Sequence, residues 1–540
     1  MHQQGKDFMQ SLFKALTGVL VAGALAGTAT PSVAVDVTGP PGSADPAQRA
    51  VAWRPCPQDA TAECGTLRLP VDWARPTAGT FDLAVARRTA TDPARRIGVL
   101  FVNPGGPGDS GVDFAVRRAP GHFSADVRAR FDIVGFDPRG VGASQPIRCS
   151  AALLDQAPSG YPADRAEFDQ LAAYNRALRQ DCRRHSGPVF DHADTLSVVR
   201  DMDALRAALG EERISYFGHS YGTLIGEQYA EQYGERLRTM ALTANMDHSL
   251  GLRAFLVSSA VTAEDSFQQF ARWCATSRSC ALYGRNVTAV WDGLLARADR
   301  GELSDPDHPE RPLTARAITL TTFKQYLYGP DWGDLARYLT GLEAQQRQPQ
   351  IRQSQERQQS RGWQPRERQR VRPLPARAAQ GGVQGVQGVQ GAPEQTRAAP
   401  FSAVFCQDWR FRPKDFREYA DLTAAELRAA PHLRGSPRVH AAVAGCVGWP
   451  DEVNNPQHRL RITRAPKILM LHSRHDPANH YAWAARVHRQ TRGTTVLLPY
   501  EGAGHSVYGR SDCTRGTVDD YLLHRRTPAP GSSCAPVPQR

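Results

Sequence analysis

The sequence predicts an α/β protein: a mostly parallel sheet alternating with helices, into which a helical block has been inserted. Three observations carry this. Strand-like runs at 66–70, 82–87, 97–102, 131–136, 214–218 and 239–243 are separated, in the later part, by helical patterns at 198–209 and 223–233. Strands alternating with helices favour a parallel sheet, because each parallel crossover needs a helix. Residues 250–345 then read as mostly helical, without a strand series. The strand pattern returns in KILMLHS (467–473) and TVLLPY (495–500), flanking a helix at 480–490. A sheet interrupted by helices and then resumed predicts a lid inserted into an α/β core. The expected division is a first core part at 35–248, a helical lid at 249–445 and the remaining core at 446–540.

Ahead of the first strand, residues 1–34 read as an export signal. Lys6 and Lys14 precede an apolar run at 15–26, and Ser32-Val33-Ala34 is a small-x-small cleavage site. The run is too short to span a bilayer, and no cysteine near the cleavage site offers a lipid anchor. A secreted protein without stable membrane insertion is expected. Cysteine usage agrees with an oxidising compartment. Sequence neighbours form five local pairs, Cys56 with Cys64, Cys149 with Cys182, Cys274 with Cys280, Cys406 with Cys446, and Cys513 with Cys534. Spacing alone leaves the connectivity open. No CxxC spacing or His/Cys cluster points to zinc, so no metal site is expected.

The formal charge of +12 raises the question of a nucleic-acid partner. Residues 345–400 hold ten arginines and three glutamates, so the rest of the chain is only mildly basic. That segment runs from a Gln/Arg-rich tract into GGVQGVQGVQG (381–391), which has neither an apolar face nor a helical period. A disordered insertion is expected there, and no nucleic-acid partner.

The chemistry is concentrated at the predicted strand ends. Gly218-His219-Ser220-Tyr221-Gly222 follows the strand at 214–217 and opens a helix, the context a nucleophile elbow requires. A serine hydroxyl needs a base to take its proton, and the base needs a carboxylate to hold its tautomer. In α/β-hydrolases these follow in the order Ser, Asp, His. Asp476, after KILMLHS, and His505, after TVLLPY, satisfy that order. His472, His475 and His480 compete for the base but sit beside the acid on one segment. Asp137 competes for the acid, but it precedes Ser220, and its DPRG reads as a turn with Arg139 pairing locally. Acyl transfer also needs backbone N–H donors for an oxyanion. Tyr221 offers one as the residue after the serine; Gly106, in the NPGGPG loop after the strand at 97–102, offers the other. No cofactor is called for.

With these residues in place, the chain resembles the secreted tripeptidyl aminopeptidases, serine peptidases of the α/β-hydrolase fold related to prolyl aminopeptidases. The similar segments include VNPGGPGDSG (102–111), FDIVGFDPRGVGAS (131–144), GHSYGT, VFCQDW (404–409) and HDPANHYAWA…GAGHSVYG…C…VDDYL. The resemblance covers about residues 50–340 and 400–535 and includes the TAP-like C-terminal region. It implies Ser220 as nucleophile, Asp476 as acid, His505 as base, the GGPG loop as oxyanion hole and the helical block as a lid. Departures are the 345–400 insertion and MALTANMDHS, where relatives more often have an aspartate near Thr243. The expected substrate is a short peptide or peptide-like amide cut near its free amino end, with a small ester or amide as the alternative. Holding a substrate ammonium calls for a carboxylate, and Asp247 and Asp408 are the candidates.

Overall fold

The computed structural model describes residues 50–345 and 395–539. The leader at 1–34 and most of the 345–400 insertion lie outside the described residues. The strands, in chain order, are β1 (Arg54–Cys56), β2 (Asp59–Pro70), β3 (Thr80–Arg88), β4 (Gly98–Asn103), β5 (Phe131–Phe136), β6 (Arg148–Ser150), β7 (Ile214–His219), β8 (Leu237–Thr243), β9 (Thr396–Ala398), β10 (Ile468–His475) and β11 (Thr495–Ala503). Nine of them form one sheet in the order β1-β2-β3-β5-β4-β7-β8-β10-β11. Pairing is antiparallel from β1 to β5 and parallel from β5 to β11.

Every residue of β4 and of β5 is buried, as their apolar GVLFVN and FDIVGF runs require for strands covered on both faces. The helices Thr195–Ala208, Tyr221–Tyr233 and Tyr481–Gln490 fall where the periodicity puts them. Asp194 caps the first by accepting the Ser197 N–H, and His480 caps the last by accepting the Ala482 N–H. One long helix, Arg165–Ser186, was not anticipated from the pattern.

The helical block comprises Leu252–Thr276, Val287–Asp299, Ala315–Thr321 and Trp332–Ala344, then Pro400–Asp408, Phe416–Ala429 and Pro437–Ala444. It has its own core, in which Phe267, Phe270, Trp291, Leu294, Leu335 and Leu339 are buried. The segment read as an insertion over 345–400 ends earlier than expected: β9 pairs antiparallel with β6 as a separate two-stranded sheet. All five local cysteine pairs are disulfides, and no cysteine is free. Cys513–Cys534 fastens the helix Asp512–His524 to the chain end, whose Cys534 N–H donates to Pro499 O at 2.8 Å beside β11.

Candidate active site

The candidate residues gather at the C-terminal ends of neighbouring parallel strands, where open α/β sheets place their sites. Ser220 directly follows β7 and opens the helix Tyr221–Tyr233 with φ +55° and ψ −122°. A left-handed backbone at a non-glycine residue costs about 1–3 kcal/mol and persists only where neighbours hold it. Here Ser220 N–H donates to Thr243 O at 2.9 Å, and Thr223 N–H returns to Ser220 O at 2.9 Å. The sharp bend also needs Gly222, since a Cβ there would sit 2.6 Å from Asn103 O.

The loop after β4 packs against this bend. Asn103 Oδ1 accepts the Gly105 N–H at 3.0 Å. Gly105 has φ +99°, and a Cβ on it would lie 2.6 Å from His219 O and 2.8 Å from Tyr221 N. That close approach sets Gly106 beside the elbow. Tyr221 is the first residue of its helix, so its N–H has no intrahelical acceptor.

Asp476, just past β10, is fully buried. Its Oδ1 accepts the N–H groups of Ala478 (2.8 Å) and Asn479 (3.0 Å). His505 Nδ1 meets the same carboxylate at 2.9 and 3.0 Å. Burial alone pushes the carboxyl's pKa up; the charge and hydrogen bond of His505, with His472 and the Asn479 N–H, outweigh it and hold the pKa below the ordinary value. Because Nδ1 is taken, Nε2 is the His505 nitrogen left for the cavity. Ser220 and His505 line one cavity of about 570 Å³. No hydrogen bond joins them among the described residues, a spacing common in enzymes without bound substrate.

The competing residues are engaged elsewhere. His472 is buried, taking the Asn245 N–H on Nδ1 (3.0 Å) and contacting Asn479 O through Nε2 (2.8 Å). His475 pairs with Asp265 at 2.7 Å, and His480 is the helix cap. Asp137 accepts Ser110 Oγ and the Val112 and Ala143 N–H groups, which fixes the β4 and β5 loops to each other. Arg139 does not pair locally: it forms a fully buried two-pronged pair with Asp201 at 2.6 and 2.7 Å.

Neither expected ammonium ligand lines this cavity. Asp247 accepts Ser249 Oγ at 2.6 Å and pairs with Arg486 at 3.1 Å. Asp408 is saturated beneath the elbow, accepting Thr195 N–H (2.8 Å), Thr195 Oγ1 (2.6 Å), Tyr221 Oη (2.6 Å) and Asn455 Nδ2 (2.9 Å). Burial, then the charge of Asp194, pushes its pKa up to about 6. A carboxylate so occupied holds the Tyr221 side chain and has no room for a substrate ammonium. The cavity's carboxylate is instead Asp109, exposed in the very GGPGDSG loop that supplies Gly106.

Two residues of the helical block also reach the site. Tyr328 O accepts the His505 backbone N–H at 2.8 Å, and the two rings lie 4.7 Å apart. Arg438 donates from Nη1 to Tyr328 Oη (2.9 Å) and from Nη2 to Gly106 O (3.0 Å). One side chain thereby ties the histidine's neighbour to the glycine loop. Nothing local in sequence signals either residue, as Arg438 lies 332 positions from Gly106. A second recess of about 50 Å³, walled by Met246, Phe255, Phe405 and Trp483, also opens on Ser220 and Tyr221.

Residues 98–353 match the α/β hydrolase fold family, and residues 432–534 match TAP-like protein. The chain is 30% identical over 530 residues to the serine protease Hip1 of Mycobacterium tuberculosis, covering 90% of this chain and 91% of that one. It is 28% identical over 511 residues to tripeptidyl aminopeptidase of Streptomyces lividans (91% and 87% covered). It is 30% identical over 493 residues to carboxylesterase B of Mycobacterium tuberculosis (88% and 87% covered). Similarity on that scale, running the length of the sheet and through the TAP-like end of the chain, makes this protein a member of the α/β-hydrolase family and a serine hydrolase.

Proposed function

We propose that this chain is a secreted serine peptidase that cleaves short peptides, or peptide-like amides, near a free amino end. His505 Nε2 takes the proton of Ser220 as Oγ attacks the scissile carbonyl carbon. The N–H groups of Gly106 and Tyr221 donate to the oxyanion, each such donor being worth about 3 kcal/mol in the transition state. Collapse breaks the C–N bond, and His505 passes its proton to the departing amine. Water, deprotonated by the same histidine, then releases the acyl group and frees Ser220. Asp476 holds the imidazole in the tautomer this needs. Asp109 takes the role of ammonium ligand, and the helical block acts as a lid whose Tyr328 and Arg438 meet the cleft.

The observation that carries the reading is the convergence of the Ser220 bend, the Asp476–His505 pair and the Gly106 loop on one cavity. The choice of peptides is supported by the likeness to Hip1 and to tripeptidyl aminopeptidase. Export is read from the leader and supported by the five disulfides; N-terminal sequencing of the exported chain is expected to begin at Val35. A second reading, an esterase acting on a small metabolite with the same residues, is favoured by the likeness to carboxylesterase B.

The deciding assay uses chromogenic amides of one to three residues with free or acetylated amino ends, plus a short acyl ester, with Ser220→Ala as control. The expected result is cleavage of free-amine tripeptides, loss on acetylation and an inactive variant. Turnover of the ester alone would remove the peptidase reading and leave the esterase.

A further inference from the structure

The cavity at Ser220 carries an excess of positive charge that the proposed reaction does not use. Its charged lining is Arg118, Arg438 and Arg510 against a single carboxylate, Asp109. Arg118 already has an acidic partner in Asp113 at 3.4 Å, and its side chain is 64% exposed. The other two arginines have none: among the described residues no carboxylate lies within 4.0 Å of the Arg438 or the Arg510 guanidinium. Arg438 uses two of its five donors, on Gly106 O and Tyr328 Oη. Arg510 reaches Pro330 O at 3.4 Å and Gln539 Oε1 at 3.5 Å, both long, while its Nε is buried without a partner. Two of the lining histidines, His122 and His219, are held neutral and add nothing to this charge. Burial, then Arg515, pushes the His122 pKa down to about 4; burial, then His505, holds that of His219 well below the ordinary value.

A guanidinium partly withdrawn from water and left with weak acceptors is costly unless an anion meets it. The anion that matches its planar fork is a carboxylate or phosphate, and peptides carry the former. We propose that the cavity binds a carboxylate of the substrate on Arg510, with Arg438 adding positive charge beside the Gly106 loop. The carboxylate has two sources: the free C-terminus of a short leaving portion, or an acidic side chain on the acyl portion. The proposal rests on the reading that Ser220 attacks a carbonyl held in this cavity. Asp109 lines the same space, so a short peptide with both ends free meets a group of opposite charge for each end.

The test compares matched substrates on the full-length protein. One pair differs only in the leaving group, a 4-nitroanilide against its 3-carboxy derivative. The other differs only in the acyl residue, glutamine against glutamate. The readout is the ratio of kcat/KM for the charged member to that for the neutral one. At least one pair is expected to favour the carboxylate about tenfold, in line with a charge-assisted contact. That ratio is expected to fall to near unity in Arg510→Gln and to recover in part in Arg510→Lys, which keeps the charge and loses the fork. Preference in the first pair assigns the leaving portion; in the second, the acyl portion. No preference in either, or one that survives in Arg510→Gln, overturns the proposal. Should the glutamine variant fail to fold, the salt dependence of the wild-type ratio decides, since a charge contact weakens with salt and an apolar one does not. If no amide is cleaved, the peptidase reading has failed; ester pairs carrying the same carboxylates then test the site by itself.

Discussion

The residues around Ser220 come from two parts of the molecule that are held in different ways. Two of those on the sheet, Ser220 and Asp476, stand at the ends of strands bonded along both edges: β7 lies between β4 and β8, and β10 between β8 and β11. Ser220 and Asp476 inherit that rigidity, one residue past their strand ends; His505, two residues past the end of β11, hangs on the outermost strand, which pairs with β10 on one side and is bridged by Cys534. The residues from the helical block, Tyr328 and Arg438, are tied to the sheet side by one backbone hydrogen bond to His505 and one side-chain hydrogen bond to Gly106, and to each other by a third. The difference teaches a division of labour. In the proposed reaction the ladder would fix the groups that exchange the proton, which must not move by fractions of an ångström, and the block would contribute contacts made by side chains from outside the sheet.

The sheet side should therefore tolerate substitution least. Asp476→Asn keeps the shape but presents an amide N–H where His505 Nδ1–H needs an acceptor, which favours the wrong tautomer. A comparable change in a Ser-His-Asp triad costs about 10⁴ in kcat. The same loss is expected here in steady-state hydrolysis of the best amide, with the thermal midpoint showing whether the fold survives. A loss below tenfold would mean that the strand-end geometry does not govern the chemistry.

Asp408 offers a sharper comparison, because it ends a helix of the block yet lies under the elbow, bonded to Tyr221. Burial and Asp194 raise its pKa from 3.8 to about 6 in the folded protein. Well below pH 3.8 both folded and unfolded chains hold this proton, so the group contributes nothing there. As pH rises the unfolded chain ionises first, and the folded state loses stability until the buried carboxyl also ionises near pH 6. A shift of about two pKa units corresponds to about 3 kcal/mol. Urea unfolding of the wild type and of Asp408→Asn between pH 4 and 7 should show the wild type losing roughly that much relative to the variant as pH increases. A constant difference would show that the donors from Thr195, Tyr221 and Asn455 stabilise the anion fully.

The same two-part construction explains what could be read from the amino acids. The strands, the elbow, Asp476 and His505 are short-range patterns: an apolar run, a turn of glycines and a polar residue just beyond. The five disulfides join the cysteines that are neighbours in sequence, pairs the sequence offered while leaving the connectivity open. Arg139 was misjudged because its partner Asp201 stands on a helix 62 residues away and the pair is wholly buried. Asp408 looked like a ligand because an isolated acid carries no mark of the three side chains that enclose it. Arg438 and Tyr328 leave no local trace, since their relation to Gly106 and His505 exists only once block and sheet have packed together. Asp109 was in plain view in GGPGDSG, but its exposure to the cavity depends on how that loop turns after Gly106.

Arg438→Gln, the mildest of these changes, asks most directly whether the block contributes to chemistry or only encloses it. The guanidinium donates a charge-assisted hydrogen bond to Gly106 O, on the residue whose N–H is proposed to donate to the oxyanion, and a second to Tyr328 Oη. Glutamine is shorter and uncharged, so it cannot hold both acceptors. Releasing the glycine carbonyl lets the loop reorient, and a donor displaced by a fraction of an ångström loses part of its transition-state contribution. With a substrate that carries no carboxylate, kcat is expected to fall about tenfold while KM changes little, the pattern of an interaction realised in the transition state. Arg438→Lys, which retains the charge but reaches one acceptor at a time, should fall between. A rise in KM at constant kcat would instead assign Arg438 to substrate binding alone. A loss as large as that of Asp476→Asn would erase the distinction between the two parts, making the block as indispensable to the reaction as the strand ends.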